Sequence, residues 1–219
     1  MNRAYPAVVK SLFVALLAVV SCANAAEDTK TAVKADPAKG EALFNTGDAS
    51  RNVTACIACH GAAGNSTIAL NPKLAGQGGP YIHKQLEDFK SGARNNPVMT
   101  PIAKALNEQD VQNLIAYLAK QKPAPGAAKN KDTVELGKKI FRGGIAEKNV
   151  PACAACHSAD GHGIPAQFPR LAGQHQDYTA AQLTAFRAGT RKNDQMNKIA
   201  SRMSDQEIQA VADYVAGLK

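Results

Sequence analysis

Displaced by 97 residues, the chain lies on itself without a gap. Gly40-Glu41-Ala42-Leu43-Phe44 falls on Gly137-Lys138-Lys139-Ile140-Phe141, and Leu74-Ala75-Gly76-Gln77 on Leu171-Ala172-Gly173-Gln174. Arg51-Asn52-Val53 meets Lys148-Asn149-Val150. Tyr81, Gln85, Phe89, Gly92 and Arg94 meet Tyr178, Gln182, Phe186, Gly189 and Arg191, and Tyr117 meets Tyr214. Stacked solenoid units repeat every roughly 20–50 residues, so a period this long requires two tandem domains instead. The spacing places a first domain at 26–122 and a second at 133–219. Between them, 123–132 is rich in Pro, Ala and Lys and reads as a semi-extended linker.

Each half reads as helical. Asp36 before Pro37 predicts an N-cap with proline at the first helical position. Asn107 with Asp110 sets a cap with an acidic residue at N3, and Ser204 with Glu207 forms a capping box. Behind these caps, Val111, Leu114, Ile115 and Leu118 share one helical face, as do Ile208, Val211, Ala212 and Val215. Tyr81 to Phe89 and Tyr178 to Phe186 predict another helix pair, closing at Gly92 and Gly189. No alternating strand pattern is present, so the expected class is all-α. The segment from Asn45 to Thr54 matches its copy in length without a readable motif.

The N-terminal 1–25 predict a secretory signal peptide. Arg3 and Lys10 are its positive region, Leu12 to Val20 its apolar run, and Ala23-Asn24-Ala25 its cleavage site. The run is shorter than the roughly 20 residues a membrane-spanning helix needs. Val19-Val20-Ser21-Cys22 loosely resembles a lipoprotein box, so a lipid anchor on Cys22 is the competing expectation. Loss of Arg3 and Lys10 lowers the formal net charge from +8 to +6. Positive residues are scattered, and export argues against nucleic acid as a partner. Association with a membrane surface stays open, and a monomer is expected.

Composition sets a further demand. The chain has no Trp and only 6 Phe and 5 Tyr, little aromatic bulk for two cores. A large apolar prosthetic group would remove that difficulty. Cys56-Ile57-Ala58-Cys59-His60 and Cys153-Ala154-Ala155-Cys156-His157 supply its attachment chemistry. Two thiols three positions apart on one helical turn reach the two vinyl groups of a single haem, and the next His aims a ring nitrogen at the iron. Two covalently bound haem c groups are therefore expected, with cofactor-binding Cys56, Cys59, Cys153 and Cys156. A thioredoxin-like pair needs a βαβ context and leaves each His unexplained. A four-cysteine zinc site would have to bridge 93 intervening residues and two domains. Structural disulfides would be strained at this spacing and leave His surplus.

The sixth iron ligand follows from scarcity. Past the signal segment the methionines are Met99, Met196 and Met203. Met99 and Met196 each lie 39 residues after the motif histidine, in polar, turn-prone stretches where an apolar side chain needs a partner. His60 with Met99, and His157 with Met196, are the expected iron ligands. Met203 aligns with Leu106 and reads as core packing. His83, His162 and His175 lack histidine counterparts and read as surface or supporting residues. Arg94 and Arg191, five residues before each methionine, read either as solvated charges or as anchors for the methionine loop, through backbone carbonyls or a haem propionate.

Both CxxCH motifs, both Leu-Ala-Gly-Gln segments and both Met-x-x-Ile-Ala segments together resemble the cytochrome c4 family of two-haem cytochromes, over about Lys39 to Leu218. The resemblance implies two class I cytochrome c domains packed face to face about a pseudo-twofold axis. It implies that Pro72 and Pro169 offer backbone carbonyls to the His60 and His157 rings. It also implies a periplasmic electron carrier, not an enzyme. Its donor would be of quinol–cytochrome c reductase type, and its acceptor a terminal oxidase or periplasmic reductase. The rival expectation is a two-haem peroxidase or the haem subunit of an oxidoreductase complex. Peroxidase chemistry would need an open iron position, which a methionine in each domain would close.

Overall fold

The computed structural model describes residues 34–219. The signal peptide and the Cys22 box lie outside the described residues. Among the described residues no helix is long and apolar enough to cross a membrane, and pairing between extended segments is limited to isolated bridges.

In the first half the order is α1 (Pro37–Thr46), α2 (Ile57–His60), α3 (Gly79–Ser91), α4 (Met99–Ala105) and α5 (Glu108–Leu118). The second half repeats it as α6 (Val134–Gly143), α7 (Ala154–His157), α8 (Gln176–Arg187), α9 (Asp194–Ala200) and α10 (Asp205–Gly217). Helix α1 starts where expected: the Asp36 carboxylate accepts the Ala38 and Lys39 N–H groups, with Pro37 next in line. The Asp36 N–H in turn donates to Asn113 Oδ1 at 2.7 Å, fixing the start of α1 on the middle of α5. Both α5 and α10 begin with complete capping boxes, Asn107 with Asp110 and Ser204 with Glu207. Helix α3 ends on Gly92 in the left-handed region, as expected. Helix α8 closes earlier, on Ala188, and Gly189 lies one residue beyond that cap.

Each half packs its first helix across its last. The crossing is close because Gly40 and Gly137 sit there. A Cβ on Gly40 would lie 2.0 Å from the Asn113 carbonyl oxygen, and one on Gly137 2.1 Å from that of Ala210. Phe44 then reaches Tyr117 with ring centroids 5.4 Å apart, and Phe141 reaches Tyr214 at 5.6 Å. Two separate cores result. One gathers Phe44, Val53, Ile82, Leu106, Val111 and Leu114, the other Ile140, Phe141, Met203, Ile208, Val211 and Val215. Each fully buried side chain of this kind contributes about 1.5–3 kcal/mol.

The stretch that carried no motif proves to be a tight loop. Asp48 and Val53 exchange backbone hydrogen bonds of 2.8 and 2.9 Å around a short 3₁₀ turn, and Ile145 and Val150 do the same at 2.8 and 3.1 Å. Arg51 bonds Asp110 at 2.6 Å and Lys148 bonds Glu207 at 2.7 Å, at aligned positions in the two copies. These ion pairs tie the loop before each CxxCH motif to the first turn of the last helix.

The two halves dock through a reciprocal set of bonds. Gln77 exchanges two hydrogen bonds with the Arg170 backbone, both 2.9 Å. Gln174 does the same with the Lys73 backbone, at 2.9 and 3.0 Å. Since Lys73 and Gln77 align with Arg170 and Gln174, each contact recurs with the domains exchanged, which is the signature of a pseudo-twofold axis. Residues 122–130 form neither helix nor strand, and the segment is held against both domains. Lys129 and Asn130 N–H groups bond the fully buried Asp213 carboxylate, and Asn65 bonds the backbone of Lys122 and Ala124.

Candidate functional site

The motif residues sit on one-turn helices α2 and α7. Cys56 O accepts the His60 N–H at 2.8 Å, and Cys153 O accepts that of His157 at 2.8 Å. This turn places the two thiols and the imidazole of each motif on neighbouring positions. The imidazoles are buried, 8% exposed for His60 and 7% for His157. Each donates its Nδ1–H to a proline carbonyl, Pro72 for His60 and Pro169 for His157, both at 2.9 Å. A carbonyl only accepts, so Nδ1 must carry the proton and Nε2 keeps its lone pair. Burial pushes both imidazoles below the ordinary histidine pKa, against a smaller upward pull from the proline carbonyls. They are neutral bases with one lone pair available to a metal.

The four cysteines are not joined as disulfides. Burial pushes the Cys56 and Cys153 thiols up to about 11. Thiols of this kind are poor thiolate nucleophiles, unlike those of a redox-active pair. No group of three or more His, Cys, Asp or Glu side chains converges as a metal site among the described residues, so the four-cysteine zinc arrangement has no geometric basis.

The loop delivering each proline is fixed at the Leu-Ala-Gly segment. Leu74 and Ala75 N–H groups both bond Gly64 O, and Leu171 and Ala172 both bond Gly161 O. The two sites differ beside the imidazole. Asn71 donates to Cys59 O at 3.1 Å in the first domain. Its counterpart Phe168 sets its ring edge-on to His157, centroids 5.9 Å apart.

Met99 opens α4 and Met196 lies in the first turn of α9; both are half-buried and outside the two cores. Met203 is 4% exposed inside the second core, and Leu106 is 4% exposed inside the first. Their backbones are positioned by residues the sequence reading did not single out. Asn96 Oδ1 accepts the Met99 N–H at 2.8 Å, and Asn193 Oδ1 accepts that of Met196 at 2.9 Å. The available signal was an asparagine three residues before the methionine in both copies.

For the arginines the structure excludes two of the expected roles, the solvated charge and the anchor on a backbone carbonyl of the methionine loop. Neither Arg94 nor Arg191 projects into solvent, and neither guanidinium bonds a backbone carbonyl of a methionine loop. Both cross to the other domain's tyrosine and glutamine, Arg94 to Tyr178 and Gln182, Arg191 to Tyr81 and Gln85. The spare histidines are supporting residues: His83 faces Glu108, His162 faces Asp160, and His175 reaches Ser66 O across the interface at 2.9 Å.

Comparison with known proteins agrees with this geometry. The Cytochrome c family model matches residues 37–122 and again 134–219. Cytochrome c4 of Thiocapsa roseopersicina is 47% identical over 188 residues, covering 84% of this chain and 93% of that protein. A thiosulfate dehydrogenase electron acceptor of Stutzerimonas stutzeri is 43% identical over 193 residues, covering 85% and 89%. The crystal structure of reduced recombinant cytochrome c4 from Pseudomonas stutzeri superimposes with a TM-score of 0.76 at 38% identity, covering 85% of this chain and 100% of that one.

Proposed function

The chain belongs to the cytochrome c4 family and carries two covalently bound haem c groups; from that premise we propose that it shuttles electrons in the periplasm between a respiratory donor and a terminal oxidase or periplasmic reductase. The observation that carries the reading is the duplicated ligand site. A buried, neutral imidazole is oriented by a proline carbonyl at 2.9 Å beside two free thiols, once per domain.

Bound haem supplies a one-electron Fe(III)/Fe(II) couple, and His/Met ligation favours its reduced form. The chain's own residues hold that couple still. Cys56 with Cys59, and Cys153 with Cys156, anchor each group. His60 and His157 would bind the iron through Nε2, their rings oriented by the Pro72 and Pro169 carbonyls. Met99 and Met196 would supply the second protein ligand to each iron, their backbone N–H groups held by Asn96 and Asn193. A methionine ligand in each domain would leave peroxide no open position, which supports a carrier over a peroxidase. The reciprocal interface keeps the two domains in one relative orientation, which suits transfer of an electron between them.

The donor has a second reading. Relatives named as thiosulfate dehydrogenase electron acceptors favour a periplasmic dehydrogenase over a quinol–cytochrome c reductase. Reduced-minus-oxidised spectra with carbon monoxide test the carrier reading. Two low-spin haems that ignore the gas are expected, and a high-spin haem that binds it would refute the closed sixth position. Stopped-flow reduction by each donor then separates the two readings.

A further inference from the structure

The first attachment turn is tied to the other domain through a side chain that the second turn has no counterpart for. His175, at the start of α8, crosses the interface and bonds Ser66 O at 2.9 Å. Ser66 is only 2% exposed. Its hydroxyl donates to Cys59 O at 3.2 Å and accepts the Ile68 N–H at 3.1 Å. Cys59 O belongs to the peptide bond that leads into His60, and Asn71 also donates to it at 3.1 Å. Two successive hydrogen bonds therefore run from an imidazole of the second domain, through Ser66, to the peptide that carries the first iron ligand.

The contact is one-sided. The positions aligned with His175 and Ser66 are Gly78 and Gly163, and neither has a side chain to make these bonds. Gly163 O instead accepts from Ser158 Oγ at 2.7 Å, and the Gly163 N–H bonds His157 O at 2.9 Å, both within the second domain. Beside the reciprocal contacts of Gln77 and Gln174, the His175 contact is single.

The ring can also change charge in place. A carbonyl only accepts, so Nε2 keeps its hydrogen in both charge states, and Nδ1 can take a proton without breaking the bond to Ser66. A cavity of about 140 Å³, lined by Lys73, Lys129, His175 and Asp177 among others, leaves room for water beside it. Burial and the Lys73 and Lys129 charges disfavour the imidazolium, while the Ser66 carbonyl and the Asp177 carboxylate favour it. The balance places its titration below the ordinary histidine value of 6.5.

We propose that His175 is a positioning residue through which the second domain sets the first haem site alone, and that its Nδ1 takes up a proton when the first iron is reduced. The proposal deepens the carrier reading above and rests on His60 as the iron ligand. The electron comes from the redox donor and the proton from water in the cavity. An electron gained at the iron makes a positive imidazolium less unfavourable, so a proton on His175 favours Fe(II) in return. Linkage makes the two effects equal in size.

The test uses His175→Ala and His175→Gln in the full holoprotein. Glutamine keeps a neutral donor for Ser66 O, and alanine keeps none. Hydrogen exchange at the Ile68 amide is expected to speed up about tenfold in the alanine variant and to stay within about twofold of the parent in the glutamine variant. NMR redox titration resolves the two haems. At fixed potential the Fe(II) share of the first haem in the parent is expected to fall about two- to threefold as pH rises from about 5 to about 8. Both variants are expected to lose that fall, with the second haem alike in all three proteins. The proton affinity of the His175 ring is expected to be higher in the Fe(II) protein by the same factor. Unchanged Ile68 exchange in the alanine variant, or a fall that persists in the glutamine variant, would overturn the proposal. So would equal changes at both haems, which mark a general loosening of the interface. Ile68 exchange reads the contact without the iron, and carbon monoxide difference spectra read the iron ligands without His175, so the two readings fail separately.

Discussion

Gln174→Ala isolates the contribution of the reciprocal amide contact. The Gln174 side chain is 9% exposed and serves three backbone groups. Its Oε1 accepts from the Lys73 N–H at 2.9 Å and the His175 N–H at 3.0 Å, and its Nε2 donates to Lys73 O at 3.0 Å. Alanine leaves all three without partners. A hydrogen bond of this kind contributes about 0.5–1.5 kcal/mol net, and a stranded buried partner costs about 1–3 kcal/mol. Water admitted at the edge of the interface restores part of the loss, so the expected cost is about 2–4 kcal/mol. For a folded unit of this size each kcal/mol moves Tm by about 2–4 °C. Thermal unfolding of the holoprotein should thus begin roughly 5–15 °C lower, and hydrogen exchange at the Lys73 amide should speed up. Gln77→Ala breaks the mirror contact, and the double variant closes a cycle. Once the first substitution has loosened the docking, the second has less to lose, so the pair should cost less than the sum by about 1 kcal/mol or more. A single-variant cost below about 0.5 kcal/mol, with Lys73 exchange unchanged, would refute the claim that these amides hold the domains together.

Other expectations bear on other parts of the fold. Gly40→Ala and Gly137→Ala drive a Cβ into a backbone carbonyl of the crossing helix, so each should cost about 1–3 kcal/mol or more by chemical denaturation, well above the effect of the same change at Gly143, where nothing lies within 4 Å. Met203→Ala should lose about 2–5 kcal/mol of core packing with unaltered haem spectra, whereas Met196→Ala should abolish one methionine-ligation band and lower one potential. The Asp48 carboxyl is held down to about 2 by Ser50 and then Arg51. A depressed carboxylate pKa stabilises the fold above the ordinary value of 3.8 and loses that contribution as pH falls through about 2. Arg51→Met should therefore move the acid-unfolding midpoint upward, and an unchanged midpoint would show that the ion pairs of Arg51 are fully screened by solvent.

Helix identity, the cap residues and the CxxCH histidines were legible because each is specified by residues close in sequence. Asp36 with Pro37 and Ser204 with Glu207 encode their own local geometry. Partners far apart in sequence were not legible in this way. The pairing of Arg51 with Asp110, repeated by Lys148 with Glu207, spans 59 residues in each copy. Aligned opposite charges were visible, but nothing in the spacing connected them. Asn96 and Asn193 were passed over because an asparagine in a turn is ordinary. Only the backbone shows that its Oδ1 holds the methionine N–H.

The arginines expose a deeper limit of reading a duplicated chain. A residue that recurs in both copies can serve its own domain or its counterpart, and recurrence alone does not distinguish these. Phe44 and Tyr117 recur because each core needs them. Gln77, Tyr81, Gln85 and Arg94 recur because a pseudo-twofold axis sets each one against the copy of its partner. Under that symmetry a single surface must be complementary to its own duplicate, and changing one member affects a contact in both directions. The pinned linker adds to this constraint. With Asn65 holding its start and Asp213 its end, it holds the connection against both domains, in keeping with a single docked arrangement. The structural unit is accordingly the pair of domains: the residues next to Pro72 and Pro169, whose carbonyls orient His60 and His157, are held by Gln174 and Gln77, encoded 101 and 93 residues away.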